Sequence, residues 1–146
     1  MAARGVGFDQ RLETATALET MDGVDCIETP GDGYVADLGC AIEHGPTPTV
    51  TVAADLPLVT ATHIDRAVAT AGNDSLTVCV PASLTAEVGV SAETTLSHDG
   101  ETVVPTGLNV VGDGAERTVV WRDERLAFNV NRPRDLQAVE QWLDDV

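Results

Sequence analysis

Apolar and polar positions along the chain switch repeatedly between a helical and an extended period. Leu12, Ala15 and Leu18 recur every three residues, a spacing that places them on one face of an amphipathic helix. The segment 50–54 is instead a continuous run of β-branched and small apolar residues, which is typical of a buried strand. The alternation predicts helices over 11–21, 34–43, 60–70 and 133–143 and strands over 24–28, 48–54, 75–80, 103–111, 117–121 and 125–130.

This order of elements predicts the fold class. Strands that alternate with helices indicate an α/β fold with a mainly parallel sheet, and the less regular stretch 82–104 leaves room for a short helix and a hairpin. We expect a single domain over 1–146, because no repeat or linker interrupts the pattern. No apolar run reaches the ~18 residues of a membrane helix, and the opening residues lack the apolar core of a signal peptide. A cytoplasmic protein is therefore expected.

The charge of the chain excludes some partners. The net charge is −16, and all eight basic residues are Arg. A surface this acidic repels phosphate backbones, so we expect no nucleic-acid binding. The acidic residues are dispersed rather than gathered into a tail. Adaptation to a salt-rich, halophilic cytoplasm explains such a surface, because salt screens the self-repulsion.

Asp55 is the first candidate for chemistry, since it directly follows the strand-like run 50–54. In parallel sheets ligands bind at the carboxyl ends of strands. A carboxylate there can hold Mg²⁺, which needs only one or two protein carboxylates. The alternative is an Asp that opens the turn into Leu56 and Pro57.

Two further segments are expected at the same edge of the sheet. The loop Gly31-Asp32-Gly33 precedes a predicted helix that begins at Tyr34, and backbone N–H groups at such a position attract anions; a plain tight loop is the alternative. Asn129 and Asn131 lie at the end of the predicted strand 125–130. Their alternation places both side chains on one side, although Asn131 could instead serve as a helix N-cap.

These segments, in this order, resemble the archaeal GTP:adenosylcobinamide-phosphate guanylyltransferases, which are related to the molybdenum-cofactor guanylyltransferases. The resemblance covers nearly the whole chain, about 12–143, and "GDGYVADL" and "PTGLNVV" are its most specific motifs. The segments that carry it are "IETPGDGYVADLGCAI" (27–42), "VTVAADLPLVTATHID" (50–65), "VVPTGLNVVG" (103–112) and "LAFNVNRPRDLQAVEQWL" (126–143).

The resemblance implies a Rossmann-like nucleotidyltransferase, a three-layer sandwich that transfers GMP from GTP to adenosylcobinamide phosphate in cobalamin biosynthesis. It implies a Mg²⁺ cofactor, with Asp55 as the metal ligand and Asn131 or Asn129 completing the metal and phosphate end. A homodimer is compatible with it. The nucleotide would lie beside Gly31, Asp32, Gly33 and Tyr34, and the second substrate beside Pro105, Gly107 and Asn109.

One departure from the family is large. The family begins with a strand and a Gly-rich loop that is followed by Arg and Lys, and this loop binds the GTP phosphates. The present chain contains no Lys and has nothing corresponding to that loop. About two βα units, roughly 50–60 residues, are missing by this comparison. We therefore expect an incomplete nucleotidyltransferase domain with a divergent or unstructured start over 1–11, weak GTP binding and little turnover. An inactive remnant that serves as a binding module, or a related guanylyltransferase with another acceptor, remains the alternative.

Overall fold

The computed structural model of the chain describes residues 8–146, whose contacts group into a unit ending at Pro46 and a unit spanning Thr47–Val146. The first unit contains helices α1 (Phe8–Glu19) and α2 (Tyr34–Ile42), which confirms both predicted helices. The predicted strand over 24–28 is wrong, because only Ile27 shows bridge geometry there. Of the expected divergent start, residues 8–11 belong to α1, and residues 1–7 lie outside the described part.

The second unit carries the sheet and the remaining helices. Most elements agree with the predicted positions, including a short helix and a hairpin within 82–104. In chain order the elements are β1 (Thr49–Val52), α3 (Ala61–Ala71), β2 (Ser75–Pro81), α4 (Ala82–Val88), β3 (Leu96–His98), β4 (Glu101–Val111), β5 (Glu116–Val120), α5 (Glu124–Ala127) and α6 (Pro133–Asp145).

The α/β class is confirmed, but the mainly parallel sheet is not what the second unit forms. The strand order is β1-β4-β2-β5, with β3 paired to β4. β4 runs antiparallel to β1, β2 and β3, and only β2 and β5 pair in parallel. Strands β1, β2 and β5 do point the same way, as expected. β4 returns from the β3 hairpin and inserts in reverse between β1 and β2, which turns the pairings antiparallel.

Helix α3 covers one face of this sheet. Its Ala67 and Ala71 are fully or almost fully buried and pack in one cluster with Leu76 and Val78 of β2 and Leu108 of β4. Thr60 caps the helix as predicted, because its hydroxyl accepts the backbone N–H of His63. The small Ala side chains let α3 lie close to the strands. The helix is the crossover that connects β1 to β2.

The predicted strand over 125–130 is wrong for a reason that lies in the packing. Leu126, Ala127 and Phe128 are all buried at consecutive positions, but they pack into two different clusters rather than against the two faces of one sheet. Leu126 and Ala127 instead sit in the short helix α5 and join the main core, while Phe128 joins a second cluster with Val139 of α6. The segment therefore links two cores rather than adding a strand.

The pairing of β4 with β2 contains an irregularity. Between the pairs Thr77–Asn109 and Cys79–Pro105 the register shifts, and the buried Thr106 hydroxyl bridges the gap. It donates to the Val78 carbonyl at 2.8 Å and accepts the Leu108 N–H at 3.1 Å. This side chain replaces ladder hydrogen bonds that the bulge interrupts.

Among the described helices, none combines the length and the apolar character that crossing a membrane requires.

Gly107 is the position in β4 where a side chain should be least tolerated. Its φ is +92°, and an added Cβ would lie 2.6 Å from the Ala53 Cβ. We expect Gly107→Ala to lower the free energy of unfolding by about 2 kcal/mol or more, because backbone strain and overlap add. Urea unfolding would measure it. Gly100→Ala is the matched control, since Gly100 has φ +79° with no neighbour within 4 Å. Equal losses in the two variants would contradict the close-approach argument.

Candidate functional site

Five of the six predicted site residues of the second unit, all except Asn109, meet in one cleft of about 290 Å³. Asp55 lies just beyond the end of β1, and Pro105 and Gly107 lie in the middle of β4, where it extends past β1. Because β4 runs antiparallel to β1, its beginning reaches the edge where β1 ends. The described residues that line the cleft are Ala53, Asp55, Thr85, Ser91, Ala92, Glu93, Thr94, Val104, Pro105, Gly107, Ala127, Asn129 and Asn131.

Asp55 is held by the segment that follows α5. The Asn129 amide nitrogen donates to Asp55 Oδ1 at 3.1 Å and to the Thr106 carbonyl at 3.3 Å. The Val130 N–H donates to the Asp55 carbonyl at 2.8 Å. Asn129 thus ties the end of β1 to the bulge of β4 and orients the half-buried carboxylate.

Asn131 lines the cleft but is not the N-cap of α6, which corrects one of the two interpretations. The N-cap is Arg132, and α6 begins at Pro133. The backbone N–H groups of Asn131 and Arg132 both donate to Asp135 Oδ2, at 3.0 and 2.9 Å. The Asn131 side chain is therefore not needed for capping, and the residue is exposed at the cleft.

Asp135 is the main residue that sequence reasoning left without a role. It is fully buried, and besides the two backbone N–H groups it accepts the N–H and hydroxyl of Ser91. Burial alone would raise the pKa of its carboxyl, but the hydrogen bonds from Ser91, Asn131 and Arg132 outweigh it and hold the pKa below its ordinary value. An acid three residues after the N-cap, with Pro at the first position, was the available signal.

Ser91 and Glu93 were also missed, and for them the sequence offers no comparable signal. They follow α4 in the irregular stretch 82–104, and only the folded chain brings them to the cleft. The cleft thus contains two carboxylates, Asp55 and Glu93, and none of its described lining residues is Arg. Such a lining repels a bare phosphate and favours a cation.

The donor set fits a magnesium ion, although the described residues hold no cluster of three or more His, Cys, Asp or Glu. Mg²⁺ keeps several waters and is bound through one or two carboxylates together with substrate phosphates. Among the described residues Asn129 is the hydrogen-bond partner of the Asp55 carboxylate, on Oδ1, which leaves Oδ2 for a cation. The Asn131 side chain and Glu93 line the same cleft.

Asp55 also borders a second opening, an apolar depression of about 420 Å³. Ala54, Pro57, Val130 and Leu136 complete its lining, and Leu136 is 48% exposed. One carboxylate therefore faces two spaces of different character, one polar and one apolar.

The remaining predicted site residues lie elsewhere. Asn109 pairs with Thr51 and Thr77 in the interior of β4 and is not among the described residues that line the cleft.

The predicted glycine loop belongs to the first unit. Gly33 is the N-cap of α2, and the Gly31 N–H donates to the buried Asp37 carboxylate at 3.0 Å. The loop therefore precedes a helix, as expected, and its N–H group at Gly31 is bonded to a carboxylate of that same helix. The loop comprises Gly31, Asp32, Gly33 and Tyr34. Tyr34 is half-exposed at the first position of α2.

Comparison with models of known protein families gives no match, and comparison with curated proteins gives no significant match.

The hydrogen bonds of Asp135 predict a stability that depends on pH. We expect Asp135→Asn to lower the free energy of unfolding by about 2 kcal/mol at neutral pH, because hydrogen bonds to a buried charge are lost. The contribution of the carboxylate is complete above its ordinary pKa of about 3.9, and it fades as the pH falls through the lower pKa of the folded state. The difference between wild type and variant should therefore shrink in acid. Urea unfolding at a series of pH values in molar KCl measures it; a difference that stays constant down to about pH 2 would contradict the assignment.

Proposed function

We propose that the chain is a nucleotidyltransferase domain that transfers GMP from GTP to adenosylcobinamide phosphate, with Mg²⁺ as cofactor. One observation carries the proposal: Asp55, which follows β1, and Asn129 and Asn131, which follow α5, meet in one cleft with Pro105 and Gly107 of β4. The same residues carry the resemblance to the cobinamide-phosphate guanylyltransferases. A Rossmann-like sandwich and a salt-rich cytoplasm as the working environment belong to the same proposal.

The two openings beside Asp55 support a transferase over a simple binding module. A group transfer needs donor and acceptor on either side of the reacting phosphate, and pockets of about 300 Å³ or more are the usual size for small ligands. Asp55 borders both the polar cleft and the apolar depression. The acceptor would lie in the polar cleft beside Pro105 and Gly107, and the nucleotide would reach Asp55 from the side of the apolar depression.

The residues of this chain would mainly hold and orient the reactants. Asp55 would hold the metal through Oδ2, and Asn129 would keep the carboxylate in place through Oδ1. When bound, Mg²⁺ would supply the positive charge that neutralises the phosphates. An acceptor phosphate oxygen would then displace pyrophosphate from the α-phosphate of GTP, a reaction that depends mostly on positioning and charge stabilisation.

A specific observation supports a second candidate function, a binding module without turnover. The described lining of the cleft carries two carboxylates and no cation, whereas phosphoryl transfer enzymes use Lys or Arg to neutralise the transferred group. The chain has no Lys. A protein that binds a metal ion, or a metal and nucleotide, without catalysis would fit the same cleft.

Pyrophosphate release distinguishes the two. With GTP, Mg²⁺ and adenosylcobinamide phosphate in molar KCl, we expect acceptor-dependent release that is at least about 100-fold slower than the ~10 s⁻¹ of a median enzyme, because the described lining of the cleft offers the phosphates no basic side chain. Release with another acceptor alone would point to a related guanylyltransferase, and no release would support the binding module. Turnover near the median would contradict the expected weakness.

Asp55 should be essential for metal binding. We expect Asp55→Asn to weaken Mn²⁺ binding, used as a paramagnetic substitute for Mg²⁺, by about tenfold or more, because the neutral amide lacks the charge that attracts the ion. Water-proton relaxation during a Mn²⁺ titration measures the affinity. Asp65→Asn removes the same charge from an exposed position on α3 and should leave the affinity unchanged. Equal effects would mean that Mn²⁺ responds only to net charge.

A further inference from the structure

Asp135 makes more contacts than a helix N-terminus requires. For capping α6, the hydrogen bond from the N-cap Arg132 N–H to Asp135 Oδ2 is sufficient. The carboxylate also accepts the Ser91 N–H at 2.9 Å and the Ser91 hydroxyl at 2.8 Å, across 44 positions of the chain. These contacts do nothing for the helix, so they call for a separate explanation.

The two segments that Asp135 joins both line the cleft. Ser91 begins the segment Ser91–Thr94, which contributes Glu93 to the lining, and Asn131 ends the segment that begins with Asn129. Neither segment is part of a helix or strand, so no ladder of backbone hydrogen bonds fixes its position. The Val130 N–H bond to the Asp55 carbonyl, at 2.8 Å, holds the second segment on one side, and the buried carboxylate of Asp135 supplies the fixed point that both segments share.

We propose that Asp135 is a positioning residue, which sets the position of Asn129 and Asn131 relative to Glu93 and thereby the geometry at Asp55. The effect reaches Asp55 through Asn129, whose amide bonds the carboxylate at 3.1 Å. The inference rests on the proposed function, because it assigns Asp135 to the metal end of the same cleft.

The chain offers a matched control at the other end of the sheet. Asp74 precedes β2, and its carboxylate accepts the Ala115 N–H at 3.0 Å and Arg117 Nε at 2.9 Å. It joins two segments as Asp135 does, but β2 begins at the edge opposite the cleft. Asp74→Asn therefore removes one charge and a comparable bridge without touching the site.

The test compares Mn²⁺ affinity in Asp135→Asn and Asp74→Asn, under conditions where circular dichroism shows both to be folded. We expect the first variant to bind Mn²⁺ about tenfold more weakly, in the range found when an outer partner of a metal ligand is removed, and the second to bind as the wild type does. Affinity within twofold of wild type in Asp135→Asn, or equal weakening in both variants, would overturn the proposal.

Should Asp135→Asn not fold, Ser91→Ala replaces it, because this change keeps the Ser91 N–H bond and removes only the hydroxyl. A smaller but clear loss is expected there, and unchanged affinity would overturn the proposal.

A second measurement separates this inference from the proposed function. If the wild-type chain binds no Mn²⁺, the proposed metal site fails, and the role of Asp135 is decided by NMR without any ligand. In Asp135→Asn or Ser91→Ala the side-chain amide resonance of Asn129 should shift, whereas it should stay in place in Asp74→Asn. An Asn129 resonance that is the same in all variants would show that Asp135 stabilises the helix and nothing at the cleft.

Discussion

The reversed insertion of β4 between β1 and β2 is the constraint on which the second unit depends. Since β4 pairs antiparallel with both strands, its first residues lie where β1 and β2 end. That edge therefore gathers the turn after β1, the start of β4 and the chain that leaves β2 through α4. In a purely parallel sheet the start of β4 would lie at the far edge, and Pro105 and Gly107 could not share a cleft with Asp55.

A short chain of hydrogen bonds converts this edge into a defined site. The Thr106 hydroxyl bridges the bulge in β4, Asn129 connects the Thr106 carbonyl to Asp55, and Asp135 holds the segment after Asn129. Each of these groups is fixed by a partner from another element. The site is consequently built from irregular segments, and these segments are anchored where they join the sheet and α6.

Charge limits what the cleft can bind. The protein carries a net charge of −16, and the cleft itself contributes Asp55 and Glu93. A phosphate ligand would enter against this potential unless a cation came with it, and for this reason the proposed binding of a nucleotide includes a metal ion. The same argument favours a slow enzyme or a binding module over a fast transferase.

Local pattern in the sequence was sufficient for the helices α2, α3 and α6, the strands β2, β4 and β5, and the position of Asp55 at a strand end, because periodicity and turn chemistry act between near neighbours. It was not sufficient for 125–130, where three consecutive buried residues connect two cores, nor for the role of Asp135 with Ser91. Those features arise from contacts between positions that are distant in the sequence. The placement of β4 has the same origin, because the order of strands depends on which distant surfaces pack together and not on local preference. The sequence by itself thus determined the α/β class and the candidate carboxylate, and only the tertiary structure decided which groups surround it.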